Sequence, residues 1–384
     1  MSAAAKRTRS APVEPDRLEP FSTPRQVERV FGHDEAAAEF LSSLHSGRLQ
    51  HAWLLVGPEG VGKATLSYRL ARTVLSQEFA QENTHGGTQD HIAGGSEDVP
   101  PDHPVFRKVA GLAHPNLLLI RRSWIEKSKR YSQWIGVDEV RRLRAFLGST
   151  AGEGVWRVVI VDRADQLNQN AANALLKALE EPPPNTVFLL VASAEGRLPV
   201  TIRSRTRVLR LSALNEDSLM GAVRAALARD GVEADETTLA LAIALSEGSV
   251  RRALELITGD GIQLYEDIVA TFDALPGIDG AKIQRQAEKL SGNNETERLE
   301  LYLALLLGLV ERLVRFEATG EGLVDSEQTF ATRFVSNENL SAWADAWEAI
   351  SKARAEVFTL NLDRSILVLD SWFRLQKLVQ DHAH

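Results

Sequence analysis

The chain has 384 residues, 44% of them apolar and 25% charged, enough for two or three domains with ordinary cores. A formal net charge of −8 argues against a self-sufficient nucleic-acid binder, and the lack of cysteine removes disulfides, thiolate zinc sites and cysteine nucleophiles together. No stretch approaches the roughly 18 continuous apolar residues of a membrane span, and no apolar run follows Lys6, Arg7 and Arg9, so a cytoplasmic protein with no membrane partner is expected.

Residues 1–24 are rich in Ala, Ser, Pro and charge and read as a flexible tail. A helical pattern runs from Val27 through Ala36 to Leu44. Five short apolar runs follow: Trp53–Val56, Leu117–Ile120, Val158–Val161, Val187–Val191 and Val208–Leu211. They barely alternate, as expected of strands buried on both faces of a parallel sheet, and most are separated by helical patterns. That alternation predicts a doubly wound α/β domain over 25–212. Residues 82–104, with Gly pairs and Pro100-Pro101 among acids and amides, read as a mobile insertion. His85, His91 and His103 lie in it, but their spacing matches no metal-binding pattern, and a solvated loop is the better reading.

Beyond Leu211 the pattern is helical, over 213–260 and then 261–384, with a break at Thr258-Gly259-Asp260-Gly261. The expected class is therefore α/β plus all-α. Leu299, Leu301, Leu303, Leu305, Leu306, Leu307 and Leu309 crowd one helix. So apolar a helix must be buried, in a bundle, against a partner, or both.

The first predicted strand ends in Gly57-Pro58-Glu59-Gly60-Val61-Gly62-Lys63-Ala64-Thr65. Gly57, Gly60 and Gly62 let backbone N–H groups converge on phosphate oxygens, Lys63 supplies a charge, and the next helix adds its N-terminal dipole. Such a loop ordinarily carries Ser or Thr directly after the lysine, where the hydroxyl binds Mg²⁺; here that residue is Ala64. Thr65 is one residue late, and one step along a helix turns a side chain by about 100°. The loop is thus expected to hold phosphate but to hold Mg²⁺ poorly. The strand Val158–Val161 ends in Asp162, the usual second Mg²⁺-binding acid of these folds. Arg163 follows; a guanidinium stays protonated and cannot act as a general base. Asp165, three residues on, is not expected to reach the same point.

Residues 168–206 then read as a capped helix from Asn168 to Leu179-Glu180-Glu181, a Pro182-Pro183 stop, a buried strand ending near Ser193, and an exposed basic turn with Arg203, Arg205 and Arg207. This run closely resembles the bacterial clamp-loader branch of the AAA+ ATPases, which carries a helix ending in Leu-Glu-Glu-Pro-Pro and a Ser-Arg-Cys turn. Ser46–Leu55 and Gly248-Ser249-Val250-Arg251-Arg252-Ala253-Leu254 resemble the same branch, so the likeness spans about 25–260.

The resemblance implies a P-loop AAA+ domain at 25–212, a helical lid at 213–260 and a helical oligomerisation collar at 261–384. It makes Arg205 an arginine finger acting in trans, Ser193 the first sensor, Arg251 the second sensor, and Gly57, Gly60, Gly62, Lys63, Ala64, Thr65 and Asp162 nucleotide-site positions. Hydrolytic AAA+ members have a water-activating glutamate where Arg163 stands, so the resemblance implies weak binding of ATP or ADP without turnover. Its implied partners are the other clamp-loader subunits (gamma/tau and delta), with sliding clamp and primed DNA met through the complex. Thr206 replaces the cysteine of the turn, and the zinc module of many relatives is not expected. An active gamma/tau-like ATPase is opposed by Ala64 and Arg163. A small-molecule P-loop kinase is opposed by the Leu-Glu-Glu-Pro-Pro stretch and the helical second half.

Overall fold

The computed structural model describes residues 14–15, 17–83, 98–148, 155–292, 295–360 and 362–382. The chain forms two compact units. One takes the chain to Glu233 together with Gly248–Arg251; the other comprises Ala234–Glu247 and Arg252–His384. These divisions differ from the expected boundaries at 212 and 260, because the helical segment 213–260 is shared between the units.

In chain order the first unit contains α1 (Asp34–His45), β1 (Ala52–Val56), α2 (Lys63–Asn83), α3 (Pro104–Ala110), β2 (Leu117–Ile120), a hairpin of β3 (Trp124–Ile125) and β4 (Arg130–Tyr131), α4 (Val137–Gly148), β5 (Arg157–Val161), α5 (Gln169–Glu180), β6 (Thr186–Ala192), α6 (Val200–Arg203), β7 (Arg207–Arg210) and α7 (Glu216–Asp230). All five apolar runs read from the sequence contribute strands. They form one parallel sheet of order β2-β5-β6-β1-β7.

β1, β5 and β6 are buried along their whole length, so both of their faces are apolar. Trp53, Leu55, Val158, Ile160, Val187 and Leu189 pack with residues of α1, α2 and α3. Leu54, Val56, Val159, Val161, Phe188 and Leu190 pack with residues of α4 and α5 on the other side. The period-2 alternation of a strand thus divides one apolar run between two cores. α5 begins where Asn168 accepts a hydrogen bond from the N–H of Ala171 at 2.9 Å, and it stops before Pro182-Pro183.

The tail expected over 1–24 is in contact with the domain well before residue 24. Phe21 is 3% exposed. The Ser22 N–H donates to Asp230 at 3.1 Å. Burial pushes the Glu14 carboxyl up, but Arg25 and Arg121, both paired with it, outweigh that and hold it at about 2. Of the expected insertion 82–104, residues 84–97, with His85 and His91, lie outside the described residues. α2 runs on to Asn83, Asp98 pairs with Arg69, and Val99 is buried. His103 is a helix cap: its Nδ1 accepts from the Val105 N–H at 3.2 Å to start α3.

The second unit is helical: α8 (Glu236–Leu245), α9 (Val250–Thr258, from Arg252 on), α10 (Gly261–Asp273), α11 (Gly280–Leu290), α12 (Thr296–Thr319), α13 (Gln328–Phe334), α14 (Leu340–Leu360) and α15 (Arg364–Asp381). The leucine-rich segment is α12. Leu299, Leu303, Leu305, Leu306, Leu307 and Leu309 are buried in this unit's own core, and Leu301 packs against it. At the centre Phe272 packs against Phe330, Phe334, Trp343 and Trp372.

Candidate nucleotide site

The loop Gly57–Thr65 joins the C-terminal end of β1 to the first turn of α2, whose leading N–H groups have no partner within the helix. Gly57 follows β1 against the chain at Leu211. A Cβ on it would lie 2.0 Å from the Leu211 carbonyl oxygen. Gly60 has φ +80°, and a Cβ there would meet Ser249 and Arg251. Residues 248–251 are the stretch that joins this unit from beyond α8. The Ser249 hydroxyl donates to the Glu59 carbonyl at 3.0 Å and the Arg251 N–H to the Gly60 carbonyl at 3.4 Å.

Lys63 is 6% exposed, and its Nζ donates to the carbonyls of Gly57, at 2.8 Å, and Pro58. Burial pulls its ammonium below the usual lysine value, while the carboxylates of Glu59, Asp165 and Asp162 pull the other way. Asp165 thus adds to the negative field around Lys63. Its Oδ1 is buried and accepts no hydrogen bond. Asp162 is 8% exposed and follows β5 directly. Arg163, with φ +56°, turns its guanidinium onto the carboxylate of Glu59 in the phosphate loop itself. Neither Glu59 nor Asp165 was singled out from sequence as a site residue. For Asp165 the signal was an extra acid in Asp162-Arg163-Ala164-Asp165; for Glu59 there was none, because its partner is 104 positions away.

The strand order brings the remaining positions to the same edge or removes them from it. β6 lies between β5 and β1, with Ala192 level with Val56 and Leu190 level with Val161. Ser193, the next residue, therefore emerges between the phosphate loop and Asp162, and it is exposed. Arg251 lies against Gly60. Arg205 is elsewhere. It stands two residues before β7, and β7 runs parallel to β1 with Arg207 level with Trp53 and Arg210 with Val56. At about 3.3 Å per residue, the four steps from Arg207 to Leu211 span roughly 13 Å, and Arg205 lies beyond the far end. Its guanidinium is 2.9 Å from Glu180 and donates to the Thr201 carbonyl at 3.0 Å.

The donor set fits a phosphate. The turn glycines, the start of α2 and Lys63 would hold it once Lys63 exchanges the loop carbonyls for phosphate oxygens. It does not fit an ordinary Mg²⁺ site, because Ala64 offers no hydroxyl and Thr65 starts from the next position round the helix.

A parallel sheet of this order, with a phosphate loop after β1 and an acid after β5, defines a P-loop protein of the AAA+ class. Residues 32–215 match the family model described as "DNA polymerase III, delta subunit". The chain is 37% identical to DNA polymerase III subunit delta' of Pseudomonas aeruginosa over 41% of this chain and 43% of that protein. It is 33% identical to subunit delta' of Escherichia coli over 60% and 61%. It is 26% identical to subunit tau of Bacillus subtilis over 74% and 46%. The chain is thus similar to clamp-loader subunits of DNA polymerase III. It spans about half the length of the curated relatives it matches.

Proposed function

We propose that this chain is a clamp-loader subunit of the delta-prime kind, which does not turn over ATP itself and lends Arg205 to a neighbouring ATPase. Arg163 carries the reading. A permanent cation stands where hydrolysis needs a base, and it is tied to the loop's own Glu59. Ala64 removes the metal-binding hydroxyl independently. Nucleotide, if bound as ATP or ADP, serves the fold rather than a reaction here.

Arg205 supports the other half. Far along β7 from its own loop, it can stabilise phosphoryl charge only in an adjacent subunit's site. Its pairing with Glu180 holds the side chain in place at the surface. Ser193 and Arg251 would read the state of the loop as first and second sensors. Assembly with gamma/tau and delta subunits would run through the C-terminal helices, where Leu360, Leu362, Ile366 and Phe373 stay exposed. Ile366 and Phe373 lie two turns apart on one face of α15. Sliding clamp and primed DNA would be met through that complex. The similarity to subunit tau keeps an active gamma/tau-like ATPase as a second reading. ATP turnover by the purified chain, with and without primed DNA, separates them. Background rates are expected; turnover at the pace of an AAA+ motor, abolished by Lys63→Ala, would establish the second reading.

A further inference from the structure

We propose that the β3–β4 hairpin and Trp134 form a contact for single-stranded nucleic acid. The chain is acidic overall at −8, yet residues 121–135 carry Arg121, Arg122, Lys127, Lys129 and Arg130 against one acid, Glu126. Arg121 is engaged by Glu14. Among the described residues, Lys127, Lys129 and Arg130 form no ion pair, and all three are exposed at the hairpin's turn and on its outgoing strand. A basic cluster on one exposed hairpin of an acidic chain is complementary to a polyanion rather than to the protein's own surface.

The aromatic residues decide which polyanion. Trp134, four residues after Arg130, is 55% exposed, and Ile125, paired with Arg130 across the hairpin, is 40% exposed. An exposed indole offers a stacking face, and only unpaired bases present their own faces to receive it; a duplex keeps them stacked inside. The hairpin is also held firmly enough to serve. Trp124 and Tyr131 pack edge-on at 5.1 Å, the Ser132 N–H donates to the Ser123 carbonyl at 2.9 Å, and the Ser132 hydroxyl donates to the Trp134 carbonyl at 2.7 Å.

Its root lies in the nucleotide-site segment. Ile135 is fully buried, its N–H donates to the Gln166 carbonyl at 2.8 Å, and its carbonyl accepts from the Asn168 N–H at 3.2 Å. Gln166 follows Asp165, so a strand held on the hairpin bears on the same backbone that carries Asp162 and Arg163. The source of the strand, the unpaired template beside a primer end, rests on the clamp-loader reading. The binding itself does not.

The test is fluorescence anisotropy of a labelled oligo-dT with the full chain at about 50 mM salt, repeated over a salt series. Three variants are compared with wild type: the triple Lys127→Glu/Lys129→Glu/Arg130→Glu, Trp134→Ala, and Trp134→Phe. The triple should weaken binding at least about tenfold and lower the log–log salt slope by about 2, for three phosphate contacts at roughly 0.7 each. Trp134→Ala should weaken binding about tenfold with the slope unchanged, and Trp134→Phe should restore most of it. Arg205→Ala should bind the oligonucleotide as wild type does, which separates this site from the finger. Failure of the chain to bind oligo-dT, or equal binding by wild type and variants, overturns the proposal. So does a triple variant that binds the strand normally but no longer joins the clamp-loader complex, since the hairpin would then be a protein-docking element.

Discussion

Removing the carboxylate of Glu327 should destabilise the helical C-terminal unit more than any exposed change in it. Glu327 is fully buried and Arg312 is 4% exposed. Arg312 Nη2 donates to Oε1 at 2.6 Å, and its Nε lies 3.1 and 3.0 Å from the two carboxylate oxygens. The Tyr265 hydroxyl donates to Oε1 at 2.9 Å and the Val324 N–H to Oε2 at 3.2 Å. Glu327→Leu leaves a buried guanidinium without its counter-charge and the Val324 N–H without its acceptor, while the Tyr265 hydroxyl keeps Ser326 Oγ at 2.9 Å. Breaking such a pair from one side costs about 3–5 kcal/mol. Removing both charges, as Arg312→Met with Glu327→Leu, also removes the desolvation penalty and leaves mainly the Val324 N–H unsatisfied, about 1–3 kcal/mol, because the Tyr265 hydroxyl keeps Ser326 Oγ at 2.9 Å. Urea unfolding followed by tryptophan fluorescence reports the change, because Trp343 and Trp372 are buried in this unit. The single variant should lower stability by several kcal/mol and the double should recover part of it. A single variant within about 1 kcal/mol of wild type, or a double worse than the single, would refute the argument from an uncompensated buried charge.

His114 is held at about 4 by burial, aided by Lys108, against an unfolded value of about 6.5. Between those values only the unfolded chain takes up the proton, so stability should fall by about 3 kcal/mol as pH drops from about 6.5 to 4. His114→Asn, which keeps an acceptor for the Asn116 N–H, should flatten that dependence in urea titrations. Ala64→Thr restores a hydroxyl at the metal position and should strengthen Mg²⁺-nucleotide binding about tenfold in calorimetry, while turnover stays at background because Arg163 remains. Unchanged affinity would mean that the Glu59–Arg163 pair and the Lys63 contacts, not the hydroxyl, limit binding. The isolated chain should show background ATP turnover in a phosphate-release assay, with or without primed DNA.

The sheet was legible because β1, β5 and β6 are buried on both faces and so are apolar without interruption. The phosphate loop was legible because its chemistry is local: glycines, a lysine, then a helix. The hairpin was missed because β3 and β4 are two residues each, and their segment reads as charge, Lys127 to Arg130, rather than as alternation. The early ordering of the chain was missed because Glu14 gains its partners at Arg25 and Arg121, the second of them 107 positions away. The same distance hid the pairing of Arg163 with Glu59. Sequence showed that Arg163 cannot be a base. Only the fold shows where that cation goes, and that Asp165 shares the field around Lys63. The division of 213–260 between two units was hidden for a related reason: helical periodicity says which face is buried, not against which neighbour.

The central claim is that this chain's one contribution to phosphoryl chemistry is made in a neighbour's site, through Arg205. The most direct measurement is ATP turnover by the reconstituted clamp-loader complex carrying Arg205→Ala, with assembly checked by gel filtration. A finger supplied in trans is worth roughly 10³-fold or more at the site it serves, so the complex should lose that site's share of turnover while remaining assembled. Full turnover by an intact complex lacking the Arg205 guanidinium would contradict the account.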